Sequence, residues 1–236
     1  MKSKLFIIFF LIVAVQFYAV LKVGISLTEP YAYMEEVEDG YILKGIDVEI
    51  VKMISQELHE NVEIYIFSFP YLVDNALNEG NVDMIIGGIH ITPERRKKYY
   101  FSIPYLTTGL VLIKLKDNKK KITSFDNIAI GAKKDSTGYK KTLELINSGK
   151  IVHLHVYSSN EECLEGVLDG NVDAAFFDLV NALYFSKKYP VEIVGEPFEK
   201  SDVGIATKDK ILLEKINYII LKNKQKINII LKKYGK

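Results

Sequence analysis

The segment "HITPERR" (90–96) carries the sharpest chemical signal in the chain. Thr92 suits an N-cap and Pro93 a first helical residue, which places Arg95 in the first turn of a helix. A cation there opposes the helix dipole, which favours an anion at that end. The misfit is resolved if a ligand carboxylate sits at the helix start. The Arg95 guanidinium would then hold it in a two-pronged pair, with free backbone N–H groups adding to the grip. A solvated or salt-bridged arginine is the competing account. Asp178 ends the apolar run "VDAAFFD" and opens a helical stretch, so it serves either as an N-cap or as the partner of a ligand ammonium. "KKDSTGYKK" puts Ser136, Thr137 and Gly138 at another helix start, a second set of backbone donors for an anion. The spacing of a phosphate-binding P-loop is absent from it.

Other reactive residues have weaker context. His153 and His155 would share one strand face, but no Cys, Asp or Glu pattern turns them into a metal site. No Ser, His, Asp order and no Cys and His pair supports nucleophilic catalysis, and no cofactor motif stands out. Cys163 is the sole cysteine, so it forms no intrachain disulfide and reads as a small core residue. Tyr31, Tyr33, Phe67, Phe69 and Tyr71 fall near strand ends, where most would pack and one or two would line a pocket. Thirty-one Lys and Arg against 30 Asp and Glu give a net charge of +1, which offers nucleic acid no global field.

The elements that would position these residues come in two similar sets. "GNVD" occurs at 80–83 and again at 170–173, each time after an apolar helix-like run and before a short apolar strand-like run. Gly with Asn stops a helix and turns the chain, so both copies read helix, turn, strand. In the first half "VLKVGIS", "VEIYIFSF" and "VDMIIGG" are strands. "GIDVEIVKMISQELHENV" is a helix that Asp47 can cap, with Ile50, Ile54 and Leu58 on one face, and a second helix runs to Glu79. After "YLTTGLVLIK" the strand and helix alternation restarts and continues to residue 189. Such alternation means an α/β architecture with mainly parallel sheets flanked by helices. Two terminal amphipathic stretches exceed what the second half needs, so they are expected to return to the first lobe. The chain then crosses between lobes twice, and the carboxyl ends of both sheets face one cleft. Eight positions beyond each repeated Gly lie Gly88 and Asp178.

At 236 residues with 48% hydrophobic content, the chain can bury two cores without disulfide staples. Its start, a basic "MKSK", the 11-residue apolar run "LFIIFFLIVAV" and "QFYA", reads as an export signal over 1–19, cleaved or kept as an anchor. The run is shorter than the roughly 20 residues of a membrane span. The mature chain would begin at about Val20, outside the cytoplasm.

With these motifs the sequence resembles the family-three extracellular solute-binding proteins, the receptors of polar amino acid ABC importers. Three stretches carry the likeness: "GIDVEIVKMISQEL" (45–58), "GGIHITPERRKKYYFSIPYLTTG" (87–109) and "GNVDAAFFD" (170–178), together with a terminal "KKYG". The resemblance implies a two-lobed periplasmic-binding-protein fold. Residues 20–106 with 202–236 would form lobe 1 and 107–201 lobe 2, hinged near 105–109 and 200–204. It implies that Arg95, with backbone donors at Thr137 and Gly138, binds a ligand α-carboxylate, and that Asp178 and the Gly88 carbonyl bind the α-ammonium. Phe69 would supply a stacking face. His90 stands where a hydroxyl usually completes the ammonium site, and Thr28 where an aromatic ring usually stacks, so the side-chain preference stays open. The implied partners are a small amino acid ligand and an ABC permease that reads the closed, monomeric receptor. A prephenate or arogenate type of dehydratase on the same fold, and an anchored amino acid sensor, are the alternatives.

Overall fold

The structure is a computed structural model, and it describes residues 20–120, 122 and 125–235. The expected export signal at 1–19 lies outside the described residues. The chain runs β1 (Val20–Ile25), β2 (Tyr33–Val37), β3 (Gly40–Lys44), α1 (Ile46–Leu58), β4 (Asn61–Ile66) and the helical turn α2 (Phe69–Tyr71). A π-helical turn (Leu72–Ala76) extends α2 and leads to β5 (Met84–Ile86), α3 (Pro93–Lys98), β6 (Tyr100–Phe101) and β7 (Leu106–Leu115). There follow β8 (Ile128–Lys133), α4 (Thr137–Asn147), β9 (Val152–Tyr157), α5 (Asn160–Leu168), β10 (Ala174–Asp178), α6 (Leu179–Lys188) and β11 (Val191–Val203). The chain ends with β12 (Ala206–Thr207), α7 (Lys210–Lys222) and α8 (Lys224–Lys233).

Two five-stranded sheets form the two-lobed α/β fold, ordered β4-β1-β5-β12-β6 and β11-β7-β10-β8-β9. In the first, β1 is parallel to β4 and β5, and β12 runs antiparallel to β5 and β6. In the second, β8 is parallel to β9 and β10, while β7 is antiparallel to β10 and β11. The chain therefore passes between sheets after Phe101 and again after Val203, and β7 and β11 are paired from Leu106 with Val203 to Leu115 with Val191.

The repeated "GNVD" has one physical job in both places. Gly80 and Gly170 take the same left-handed φ of 71°, which an L side chain rarely adopts, and the following Val82 and Val172 are buried. Each Asp then clasps the backbone of a neighbouring strand. Asp83 N donates to Lys22 O at 2.8 Å and its Oδ2 accepts from Lys22 N at 2.7 Å. Asp173 N donates to Ala129 O at 2.9 Å and its Oδ2 accepts from Ala129 N at 2.8 Å. Register is thus fixed at the start of β5 and of β10, the strands that deliver Gly88 and Asp178.

Two expectations need correction, and one strand had not been expected. Asp47 does not cap α1: Gly45 holds the N-cap position with no side-chain bond, and Asp47 is fully buried on the helix's inner side. The run to Glu79 is a short α turn continued by a π turn rather than one regular helix. The 13-residue β11 escaped notice because most of it is exposed or half-buried, leaving no apolar periodicity to read. The terminal stretches do return to the first lobe. Leu212, Ile216, Ile219 and Ile220 of α7 and Ile227, Ile230 and Leu231 of α8 share one core with Ile46, Ile50 and Ile54 of α1. Among the described residues no helix is long and apolar enough to cross a membrane.

Candidate ligand-binding site

Thr92 Oγ1 accepts from Arg95 N at 3.2 Å, so the N-cap read from "TPER" forms and turns Arg95 inward from α3. The guanidinium is buried and donates to two carbonyls, His90 O at 2.9 Å and Asp135 O at 3.2 Å, the second from the opposite lobe. Burial pulls Arg95 down to about 10, against the charges of Asp74, Glu94 and Asp135, so it stays cationic at neutral pH. Its carbonyl partners carry no formal charge, so the positive charge is oriented but not neutralised.

Asp178 ends β10 and caps α6, its Oδ1 accepting from Val180 N at 2.8 Å. The same oxygen accepts from Tyr31 at 2.9 Å across the cleft and from Thr108 at 3.1 Å. Oδ2 meets His90 Nε2 at 2.8 Å, and His90 Nδ1 meets Thr137 Oγ1 at 3.1 Å. The two roles considered for Asp178 are therefore compatible, since the cap uses one oxygen and leaves the other toward the cleft. Burial and the charge of Asp178 push the Tyr31 hydroxyl well above its usual range, so it remains a donor.

Arg95, Asp178, Gly88, His90, Thr137, Gly138 and Phe69 all line a single pocket between the lobes. Gly88 has a φ of 60°, and an added Cβ would lie 2.8 Å from the Tyr31 ring, so no larger residue fits. Its N–H donates to Asp47 Oδ2 at 2.8 Å, and Asp47 Oδ1 accepts from Tyr105 at 2.7 Å. The carboxylate mistaken for a cap is thus a buried brace behind the pocket. Ser136 caps α4 through Tyr139 N at 3.1 Å, as expected. The N–H groups of Thr137 and Gly138 belong to the first turn of α4, where no helical carbonyl can reach them.

Sequence reasoning missed Lys133, Asn160, Asn181 and Thr108. The first three line the pocket, and Thr108 holds Asp178 from β7. Lys133 closes the run "NIAIGAKK", which read only as a strand, and as the last residue of β8, buried on both faces, it reaches the pocket. Its Nζ lies 3.9 Å from the Phe69 centroid, while Arg95 Cζ lies 5.6 Å from the same ring. Burial pushes the Lys133 ammonium down to about 8, with Glu161 acting upward and Arg95 downward. His153 and His155 are exposed on β9, and the described residues contain no cluster of three or more metal-ligating side chains. Cys163 is a fully buried member of the second lobe's core.

The lobes are also joined at the pocket wall and its rim. Asn181 Nδ2 donates to Glu29 O, Glu29 N donates to Glu161 Oε1 at 3.2 Å, and Lys140 pairs with Glu94. This is a closed cleft holding two buried cations and a carboxylate.

The sequence profile of the bacterial extracellular solute-binding proteins, family 3, matches residues 21–236. The chain belongs to this family. It is similar to the arginine-binding periplasmic protein of Mannheimia haemolytica, 27% identical over 202 residues that cover 82% of each chain. An ancestral arginine-binding protein solved with arginine superposes with a TM-score of 0.83 at 28% identity, covering 94% of this chain and all of the other. The chain is also 26% identical over 165 residues to the cyclohexadienyl dehydratase of Pseudomonas aeruginosa, spanning 69% of this chain and 60% of that enzyme. Family membership makes the chain an extracytoplasmic solute-binding protein.

Proposed function

We propose that this protein captures an α-amino acid between its lobes and delivers it to the permease of an ABC importer. The observation that carries this reading is a buried guanidinium from α3 and, at the end of β10, a carboxylate whose side chain is only 8% exposed, lining one pocket from opposite lobes. A zwitterion satisfies both, and binding it draws the lobes together. Arg95, with the N–H groups of Thr137 and Gly138, takes the carboxylate. Asp178 and the Gly88 carbonyl take the ammonium, and Phe69 offers a face to the side chain. His90 Nε2 sits on the outward oxygen of Asp178, so it shares that oxygen with the ligand or gives way to it. Residues 20–106 with 202–236 and 107–201 act as the moving lobes, bending near 105–109 and 200–204. The pairing of β7 with β11 supports this, because it sets both crossings side by side. The exported chain works as a monomer, and the permease reads its closed form.

Titration calorimetry of residues 20–236 against the twenty amino acids and a set of amine-free carboxylates tests the proposal. Saturable binding of one or a few α-amino acids is the expected result. Binding of amine-free acids alone would remove Asp178 from its role.

One observation favours a second reading. His90 bridges Asp178 and Thr137, a geometry that fits a general acid, and one relative is a dehydratase. Turnover of prephenate or arogenate by the purified protein would establish that activity. Asp178 weighs against prephenate, which has no amine to answer a buried anion.

A further inference from the structure

Lys133 is a buried cation that the roles above leave without a task. It ends β8, opposite Tyr157 of β9, and is only 6% exposed. An ammonium has three N–H donors. A single bond to Thr28 Oγ1, at 3.4 Å, answers one of them, from the other lobe. No carboxylate of the described residues forms an ion pair with it. Glu161, the acid whose charge acts on it most, instead accepts from Glu29 N. Arg95 lies against the same Phe69 ring and donates only to carbonyl oxygens. Two buried positive charges therefore flank one aromatic ring. The pocket's carboxylate, Asp178, is already held by Tyr31, Thr108, Val180 N and His90. Burying that surplus is costly unless something anionic enters.

We infer that Lys133 is the specificity residue of this pocket and binds an acidic group on the ligand side chain, so that the preferred ligand is an acidic α-amino acid. The inference rests on the receptor reading and deepens it. With the α-carboxylate on Arg95 and the α-ammonium at Asp178, the side chain runs over Phe69 and ends at the Lys133 ammonium. A carboxylate there neutralises the charge and can accept from the unused donors. An amide accepts one bond but leaves the charge unanswered. A cationic side chain meets like charge in a site of low dielectric, so the arginine named for the relatives is disfavoured here.

Calorimetry with L-glutamate, L-aspartate, L-glutamine, L-alanine and L-arginine on residues 20–236, wild type beside Lys133→Met and Lys133→Gln, tests this. Wild type should bind one of the two acids at least about tenfold tighter than glutamine or alanine, and arginine weakest. Both variants should lose the acid preference yet still bind alanine or glutamine, because Arg95 and Asp178 are intact. Methionine keeps an apolar stem against Phe69, and two variants guard against a folding defect in either. Equal binding of all five amino acids by wild type, a preference for arginine, or an acid preference retained in both variants would overturn the role of Lys133 alone. Binding of none of the five but of another of the twenty amino acids would likewise overturn the role of Lys133 and leave the receptor reading standing, whereas binding of none of the twenty would sink both.

Discussion

Single residues in the pocket have separable duties. Arg95→Ala removes the only side-chain grip proposed for the α-carboxylate and should weaken binding at least about 100-fold, the size of a lost charge-assisted bidentate pair. Circular dichroism should show an intact fold, and unchanged affinity would remove Arg95 from the site. Asp178→Asn keeps a cap for Val180 N but loses the charge, so it should weaken α-amino acids more than amine-free carboxylates; equal losses would count against an ammonium seat. Asp47 makes a prediction about pH. Burial lifts its carboxyl to about 7, although bonds from Tyr105 and Gly88 N pull the other way. The unfolded group titrates near about 4. Folding is therefore favoured while Asp47 is protonated, and this contribution is lost as pH rises from about 4 through about 7, up to about 4 kcal/mol in all. In urea unfolding at pH 4.5 and 7.5, Asp47→Asn should show a smaller fall than wild type across that window. Parallel pH profiles would refute a raised Asp47.

At the scale of elements, the repeated Asp explains how two differently built sheets place their strand ends. Asp83 and Asp173 each close a two-bond clasp on a neighbouring strand. Asp173→Ala strands the part-buried Ala129 N–H and should cost about 1–3 kcal/mol in denaturant unfolding, whereas Asp83→Ala, at a more exposed clasp, should cost about 1 kcal/mol or less. Equal, negligible losses would reduce the repeat to a turn signal. The clasp was half legible. Gly-Asn announced the turn, and counting onward led to Gly88 and Asp178, but nothing in one strand names the backbone N–H that its Asp will meet. The same limit governs the site. Thr92, Pro93, Ser136 and Asp178 act through local capping geometry, so their places could be read from neighbours in sequence. Asp47 looked like a cap by the same rule, yet its partners Gly88 and Tyr105 come from distant segments, and tertiary burial overrode the local preference. Lys133 hid for a related reason, because its burial at the end of β8 comes from Phe69 and Thr28, which lie far away in sequence.

The whole molecule is closed by polar contacts that cross the cleft, and these differ in what a ligand would do to them. Glu94 with Lys140, and Glu29 with Glu161, lie at the rim, while the buried Asn181 holds Glu29 O from the pocket wall. His90 is different, since it comes from the first lobe and joins two residues of the second, Asp178 and Thr137, inside the pocket. Its ring meets the carboxylate oxygen that the proposed ammonium would occupy, so it holds the lobes together where the ligand would otherwise do so. Removing it should shift the ligand-free ensemble toward open forms, because closure is a balance of differential contacts rather than a fixed shape. X-ray scattering on residues 20–236 should therefore give ligand-free His90→Ala a larger radius of gyration than ligand-free wild type. A saturating ligand identified by calorimetry should bring both to the same compact value, since ligand contacts replace the lost bridge. Equal dimensions of the two ligand-free proteins would show that His90 does not contribute to closure. A variant that stays open at saturation would instead make the imidazole part of the bound state, sharing Asp178 with the ligand ammonium rather than standing in for it.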